Sequence, residues 1–272
     1  MSWPCERWMT GTGGSVSRGV NSTRMSWGTP LGPGRGVPRQ FTTVHPPSVR
    51  RSRTLAPVLL HEAATGGAGG GVILTLGNRK GGVGKSTSAV YLATGLARLG
   101  RTLIVDADAQ GSILSWSEDA GETFPAGVVQ WSTRDLAKRV KDVAGDYAHI
   151  VIDTGRAATE DDPVLRQALL VADELIVPFA PSLMDVRELG RVLQLVEELQ
   201  SVHEVRPHLL LTKVRANTSS ARDARQGLLG QGLPLLDAQI SLREAYAHVW
   251  GRTIDDLREY EPVLHELMGS KV

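Results

Sequence analysis

The sequence predicts an α/β protein with a mostly parallel central sheet flanked by helices, preceded by a disordered tail. Three observations carry that prediction. The composition changes near residue 70, short apolar runs then alternate with helical patterns, and a glycine-rich loop joins the first such run to the first helix.

Residues 1–70 hold eight arginines, no lysine and two acids, a formal +6. Of the chain's total this leaves 22 basic and 27 acidic residues, or −5, for residues 71–272. The first segment is rich in Gly, Ser, Pro and Arg and has no sustained apolar period, so it offers little surface to bury against the entropy of ordering it. It is read as a disordered tail, or as sequence upstream of a true start near Val72. The apolar stretch at 56–60 is too short for a secretory core or a membrane span. The Arg-rich, acid-poor character resembles a transit peptide, but the motif described below favours a cytoplasmic bacterial protein. Cys5 is the only cysteine. A disulfide within the chain is therefore excluded, as is cysteine-ligated zinc or iron–sulfur chemistry in the folded part of one subunit.

Residues 71–272 read as one domain. Strands are expected at 72–76, 102–106, 128–131, 149–153, 174–178 and 208–213. Between the first two, Val90, Leu92, Ala93, Leu96 and Leu99 recur at helical spacing, and Gly100 is a suitable stop. Ser132 with Asp135 three residues on predicts a capping box for a helix running to about Val143. Asp162 followed by Pro163 marks another helix start. Beyond Ala216 the pattern is more helical, with segments near 220–229, 242–249 and 254–267. No internal repeat is visible, and no part of this region reads as a transmembrane helix.

The loop Gly77-Asn78-Arg79-Lys80-Gly81-Gly82-Val83-Gly84-Lys85-Ser86-Thr87 lies between the first strand and the first helix, the context that a phosphate-binding P-loop requires. Glycines let the backbone aim several N–H groups at one anion, and the helix start adds its positive dipole. Lys85 is expected to neutralise the β- and γ-phosphates of a nucleotide, and the Ser86 hydroxyl to ligate Mg²⁺. The usual first glycine of the motif falls at Arg79, so Lys80 is an added charge. Only six lysines stand against 24 arginines in the chain, and two of the six are Lys80 and Lys85. Where either cation would serve, this sequence uses Arg; the lysine pair points to sites that want a compact point charge.

This loop resembles the deviant Walker A motif of the ParA/MinD superfamily of P-loop NTPases, in which the early lysine reaches nucleotide bound to a partner subunit. The resemblance runs through most of residues 72–260. Asp106-Ala107-Asp108-Ala109-Gln110 resembles the family's D-x-D-P-Q switch, with Ala109 for the common proline. Ile150-Val151-Ile152-Asp153-Thr154 resembles its Walker B strand, although Gly155-Arg156 follows where the family often has prolines. The stretches 178–185 and 240–243 resemble small ParA proteins without an N-terminal helix-turn-helix. The likeness implies an ATP- and Mg²⁺-dependent homodimer with slow, partner-stimulated hydrolysis. It also implies non-specific DNA binding and a ParB-type or small centromere-binding adaptor as partner, in a cytoplasmic, nucleoid-associated protein. It makes Asp108 the group that orients the attacking water. Chemistry places Asp153, at a strand end facing the loop, on the hydrated Mg²⁺. Asp106 is read either as support for the metal shell or as a strand cap, and Lys213 either as a neighbour of the base or as a surface lysine.

Rivals sharing the loop separate on other features. A small-molecule ligase or kinase does not need Lys80 to act in trans, and an iron–sulfur reductase needs cysteines. A MinD-like membrane cycler should end in a basic amphipathic helix, whereas residues 261–268 are acidic and contain Pro262. For DNA, Arg215, Arg222, Arg225, Arg243 and Arg252 are the candidate contacts, weighed against an ordinary solvated surface.

Overall fold

The computed structural model describes residues 71–156, 162–216 and 218–269. The tail, with Cys5, lies outside them. Among the described residues seven strands form one sheet, every pair parallel, in the order β3-β2-β4-β1-β5-β6-β7. The strands are β1 (Val72–Leu76), β2 (Thr102–Ala107), β3 (Gly127–Gln130), β4 (His149–Thr154), β5 (Glu174–Phe179), β6 (Arg206–Val214) and β7 (Leu235–Ser241). The helices are α1 (Lys85–Ala97), α2 (Ser112–Ala120), α3 (Leu136–Val143), α4 (Pro163–Leu169), α5 (Leu183–Leu199), α6 (Ser219–Gly230) and α7 (Tyr260–Met268).

The inner strands are nearly continuous apolar runs because helices cover both faces. Their period of two divides the core. Ile104 and Val151 face the layer holding Tyr91, Leu92 and Leu96 of α1 and Val263 and Leu264 of α7. Their neighbours Leu103, Val105, Ile150 and Ile152 face Leu136 and Val140 of α3. A third cluster packs Leu175 and Val177 of β5 with Leu209 and Leu211 of β6 against α4, α5 and α6.

The expected strands 72–76, 102–106, 128–131, 149–153, 174–178 and 208–213 all form, with ends shifted by no more than two residues. Other expectations need correction. The capping box does not form: α3 begins at Leu136, and Asp135 instead pairs with Arg139 one turn on, at 2.9 Å. The expected helix at 242–249 is a short 3₁₀ turn at Glu244–Tyr246, because that chain is drawn along a pocket wall. The helix expected over 254–267 starts only at Tyr260. Arg258 takes φ 51°, which breaks any helix before it, and Pro262 is tolerated in a first turn but not in a helix interior. The strand β7 was not anticipated. It pairs with β6 alone, with register shifts, and the Glu266 carboxylate of α7 accepts from the N–H groups of Asp237 and Ala238 at 2.7 and 2.6 Å. That contact covers part of an otherwise open edge.

Candidate functional site

The loop after β1 is set by its neighbours as much as by its glycines. Gly77 donates its N–H to Ile176 O at 2.9 Å, and a Cβ there would lie 2.7 Å from the Leu165 side chain, so any larger residue would have to push aside a buried leucine at this exit from the sheet. Asn78 is buried; its Nδ2 donates to Pro178 O at 2.7 Å and its Oδ1 accepts from Lys80 N at 2.9 Å. Gly82 and Gly84 take φ 72° and 94°, left-handed values that turn the chain into α1. The Thr212 hydroxyl of β6 lies within hydrogen-bond distance of both Val83 O and Phe179 O, at 2.9 and 3.0 Å, and its one proton ties the loop to the far half of the sheet. Asn78 and Thr212 were not singled out from sequence; a polar residue held inside an apolar strand was the available signal for Thr212.

Lys85 opens α1, is 7% exposed, and donates from Nζ to Lys80 O at 3.1 Å. Burial lowers its pKa, opposed by the carboxylates of Asp153, Asp108 and Asp162. Asp153 is completely buried at the end of β4, and neither of its oxygens has a hydrogen bond of normal geometry. Burial pushes it up to about 7, while the Ser86 hydroxyl and the Lys85 ammonium pull it down. A buried carboxylate lacking full hydrogen bonding, beside a serine hydroxyl, is an oxygen donor set suited to a hard cation such as Mg²⁺.

Asp106 lies in register with Asp153 on the neighbouring strand. Its carboxylate accepts from the N–H groups of Ile113 and Leu114 at 2.8 and 3.1 Å and of Asp108 at 3.2 Å. The first two are orphan donors at the start of α2, where Gly111 supplies no side chain to cap them. This geometry makes Asp106 a clamp on the segment carrying Asp108, a role that neither reading of Asp106 from sequence had given it. Burial raises its pKa against those three N–H bonds.

Asp108 accepts from Gln110 N at 2.9 Å, an Asx turn that orients its carboxylate. That carboxylate lies against Gly155: a Cβ at position 155 would sit 3.0 Å from Asp108 Cγ. The next residue, Arg156, rests on the loop, its Cδ 3.2 Å from where a Gly81 Cβ would be. Neither Gly155 nor Arg156 was singled out as a site residue from sequence, although both were noted as departures from the family pattern.

A cavity of about 1030 Å³ opens here, lined by Gly81, Gly82, Val83, Gly84, Lys85, Ser86 and Thr87 together with Asp108, Arg156, Lys213 and a wall running from Ile240 to Ala247. Lys213 is exposed at the rim and has φ 54°, a strained value for a non-glycine residue. Behind the wall, Tyr91 and Tyr260 stack at 4.7 Å and Tyr246 meets both edge-on, with its hydroxyl donating to Glu259. Lys80 is not among the lining residues.

The candidate DNA contacts do not form one set. Arg225 donates to Leu236 O, Asp237 O and Asp237 Oδ1, holding α6 to β7, and Arg243 pairs with Glu259 at 2.7 Å on the pocket rim. Arg215, Arg222 and Arg252 are exposed.

Comparison with known proteins shows the family. The model of the CobQ/CobB/MinD/ParA nucleotide binding domain matches residues 74–252. The chain is 33% identical over 170 residues to a maintenance of carboxysome distribution protein A from Gloeobacter kilaueensis, covering 62% of this chain and 76% of that protein. A plasmid partition protein of Borrelia burgdorferi bound to AMPPNP superposes with TM-score 0.60 at 22% identity, over 74% of this chain and all of that one. Cobyrinic acid a,c-diamide synthase from Mycobacterium smegmatis, with bound ADP and magnesium, superposes with TM-score 0.55 at 18% identity, over 74% and 96%. The chain belongs to the CobQ/CobB/MinD/ParA family of nucleotide-binding domains.

Proposed function

We propose that this chain is an Mg-ATP-dependent ATPase that dimerises on ATP and positions DNA, or a cargo carried on DNA, until hydrolysis releases it. The observation that carries the reading is the division of labour between two lysines: Lys85 lines the cavity and holds the loop closed through the Lys80 carbonyl, whereas Lys80 does not line it. In this reading Lys80, at the loop's start, would serve a second copy of the chain across a two-fold axis.

In this reading the loop N–H groups and Lys85 hold the phosphates, and Ser86 with Asp153, the latter through water, holds Mg²⁺. When bound, the metal would supply neutralisation of the phosphate charge. Asp108 orients the attacking water, and Asp106 positions Asp108 by clamping the backbone on both sides of it. The partners are a second copy, non-specific DNA through the exposed Arg215, Arg222 and Arg252, and a ParB-type or small centromere-binding adaptor. The protein is then cytoplasmic and nucleoid-associated. No helix among the described residues is long and apolar enough to cross a membrane, and α7 places Tyr260, Val263 and Leu264 in the core. A second reading, in which the cargo is a protein assembly, is supported by the similarity to the carboxysome distribution protein.

DNA association is expected to require ATP and to fall with salt, with a log–log slope of roughly −3 or steeper, because a dimer doubles the arginines facing phosphate. Gel shifts on unrelated duplexes test this, comparing the full chain with one beginning at Val72. Equal binding without nucleotide, or binding lost only with the tail, contradicts the switch.

Asp108→Ala is expected to keep ATP binding and to trap the ATP-bound dimer, since removing a water-orienting group affects the transition state more than the ground state. Gly155→Ala should do the same more weakly, because its methyl would displace the Asp108 carboxylate by a few tenths of an ångström. Steady-state turnover checks both; wild-type rates in Asp108→Ala would move the role elsewhere, with Asp106 next in line.

A further inference from the structure

The strands order the cavity from one end to the other. Asp108 follows β2, Arg156 follows β4, the loop follows β1, and the wall of Lys213, Ile240, Leu242 and Tyr246 comes from β6, β7 and the segment after β7. Along the sheet edge these run in the order β2, β4, β1, β5, β6, β7. The acids and the open glycine backbone lie at one end, and the aliphatic and aromatic surface at the other. A nucleotide whose phosphates occupy the loop therefore directs its base toward β6 and β7 and its terminal phosphate toward β4 and β2.

Arg156 stands at that terminal end. Its Cδ packs 3.2 Å from the Gly81 Cβ position, its Nη1 lies 3.9 Å from the same point, and it lines the cavity. The residue before it touches Asp108, the acid assigned to the water. No hydrogen bond or ion pair among the described residues engages its guanidinium, unlike Arg225 and Arg243, so its donors are available to an anion. The domain beyond residue 70 carries a net −5, so an arginine that rests on a phosphate loop with no ion pair among the described residues is not explained by a general excess of surface cations.

We propose that Arg156 is a phosphate-binding residue of this site, acting in the same subunit on the γ-phosphate of ATP. The inference rests on the reading of the loop as an ATP site. A planar guanidinium can donate two parallel hydrogen bonds to a terminal phosphoryl group, and placed at the γ position, which ADP leaves empty, it distinguishes ATP from ADP. The contact lies beside Asp108 and also holds the phosphoryl group in line with the water.

The test compares Arg156→Ala and Arg156→Lys with the wild-type full chain in titrations with fluorescent ATP and ADP analogues and in ATP turnover. Arg156→Ala should weaken ATP by about tenfold or more while leaving ADP affinity unchanged, and turnover at saturating ATP should fall. Arg156→Lys should recover part of the ATP affinity, because it restores the charge without the fork. The side chain is exposed, so thermal unfolding should match the wild type. An unchanged ratio of ATP to ADP affinity in Arg156→Ala with normal turnover overturns the assignment while leaving the ATP site standing, and so does an equal loss of both nucleotides. Wild-type protein that binds neither nucleotide overturns the reading of the site itself.

Discussion

Lys85→Ala is expected to abolish ATP binding at working concentrations, a loss of roughly 3 kcal/mol or more, over a hundredfold in affinity. Lys85 is 7% exposed, and its ammonium is the one cation of the loop that lines the cavity. Its pKa is already lowered by burial, which means that the folded site holds a desolvated charge supported only by carboxylates and one carbonyl. A triphosphate completes that environment; without the lysine, the same phosphate charge enters a dry cradle opposite a buried Asp153. The fold itself should tolerate the change, because alanine is a good residue for the first turn of α1 and a buried charge is removed. Fluorescent-nucleotide titration together with a thermal melt therefore separates loss of binding from loss of structure. Unchanged affinity would remove the loop from the account.

How much of this was legible from sequence depends on how local the cause is. The inner strands are self-announcing because each is an apolar run bounded by polar ends, and β1 is found with its limits intact. The P-loop is equally local, since its glycines and lysines act through their own backbone and charge. The strand β7 is different. Only Leu236 and Ile240 are fully buried, with Asp237 and Gln239 facing out, so as an edge strand it carries half the usual apolar signal. The alternation of Leu236, Ala238 and Ile240 after the Gly232 turn was present but weak. The segment from Leu242 to Val249 has helical spacing that tertiary contacts override, because Tyr246 is recruited to the cluster with Tyr91 and Tyr260. That cluster joins residues about 150 positions apart, which no local pattern encodes. The same reasoning explains the arginines: Arg222 and Arg225 look alike on a helix, but only the partner strand shows that Arg225 is tied to Asp237.

The site divides in the same way. The reading of Asp153 came from its position at a strand end and that of Asp108 from the resemblance, whereas the division between an acid that clamps backbone, Asp106, and one that contacts a glycine, Asp108, appears only when β2, β4 and α2 come together. Gly155 and Arg156 stood out as departures from the family pattern, yet their meaning is steric and depends on Asp108 and Gly81 across the cavity.

Lys80→Ala is the second large expected effect, and it bears on the central claim that the chain is a dimer switch. The backbone of Lys80 is fixed on both sides, its N–H by Asn78 and its carbonyl by Lys85, so replacing the side chain should leave the loop in shape. Because Lys85, Mg²⁺ and the loop N–H groups already meet the phosphate charge of the resident nucleotide, the mutant should bind ATP with nearly wild-type affinity. What it should lose is the contact across the two-fold axis, and with it stimulated hydrolysis. The direct measurement is light scattering of Lys80→Ala and the wild type with saturating Mg-ATP, both carrying Asp108→Ala to prevent turnover. The expected mass is about twice the 29.2 kDa chain with the wild-type loop and that of one chain for Lys80→Ala. A Lys80→Ala protein that still doubles its mass with ATP would contradict the switch and leave an ordinary nucleotide-binding domain.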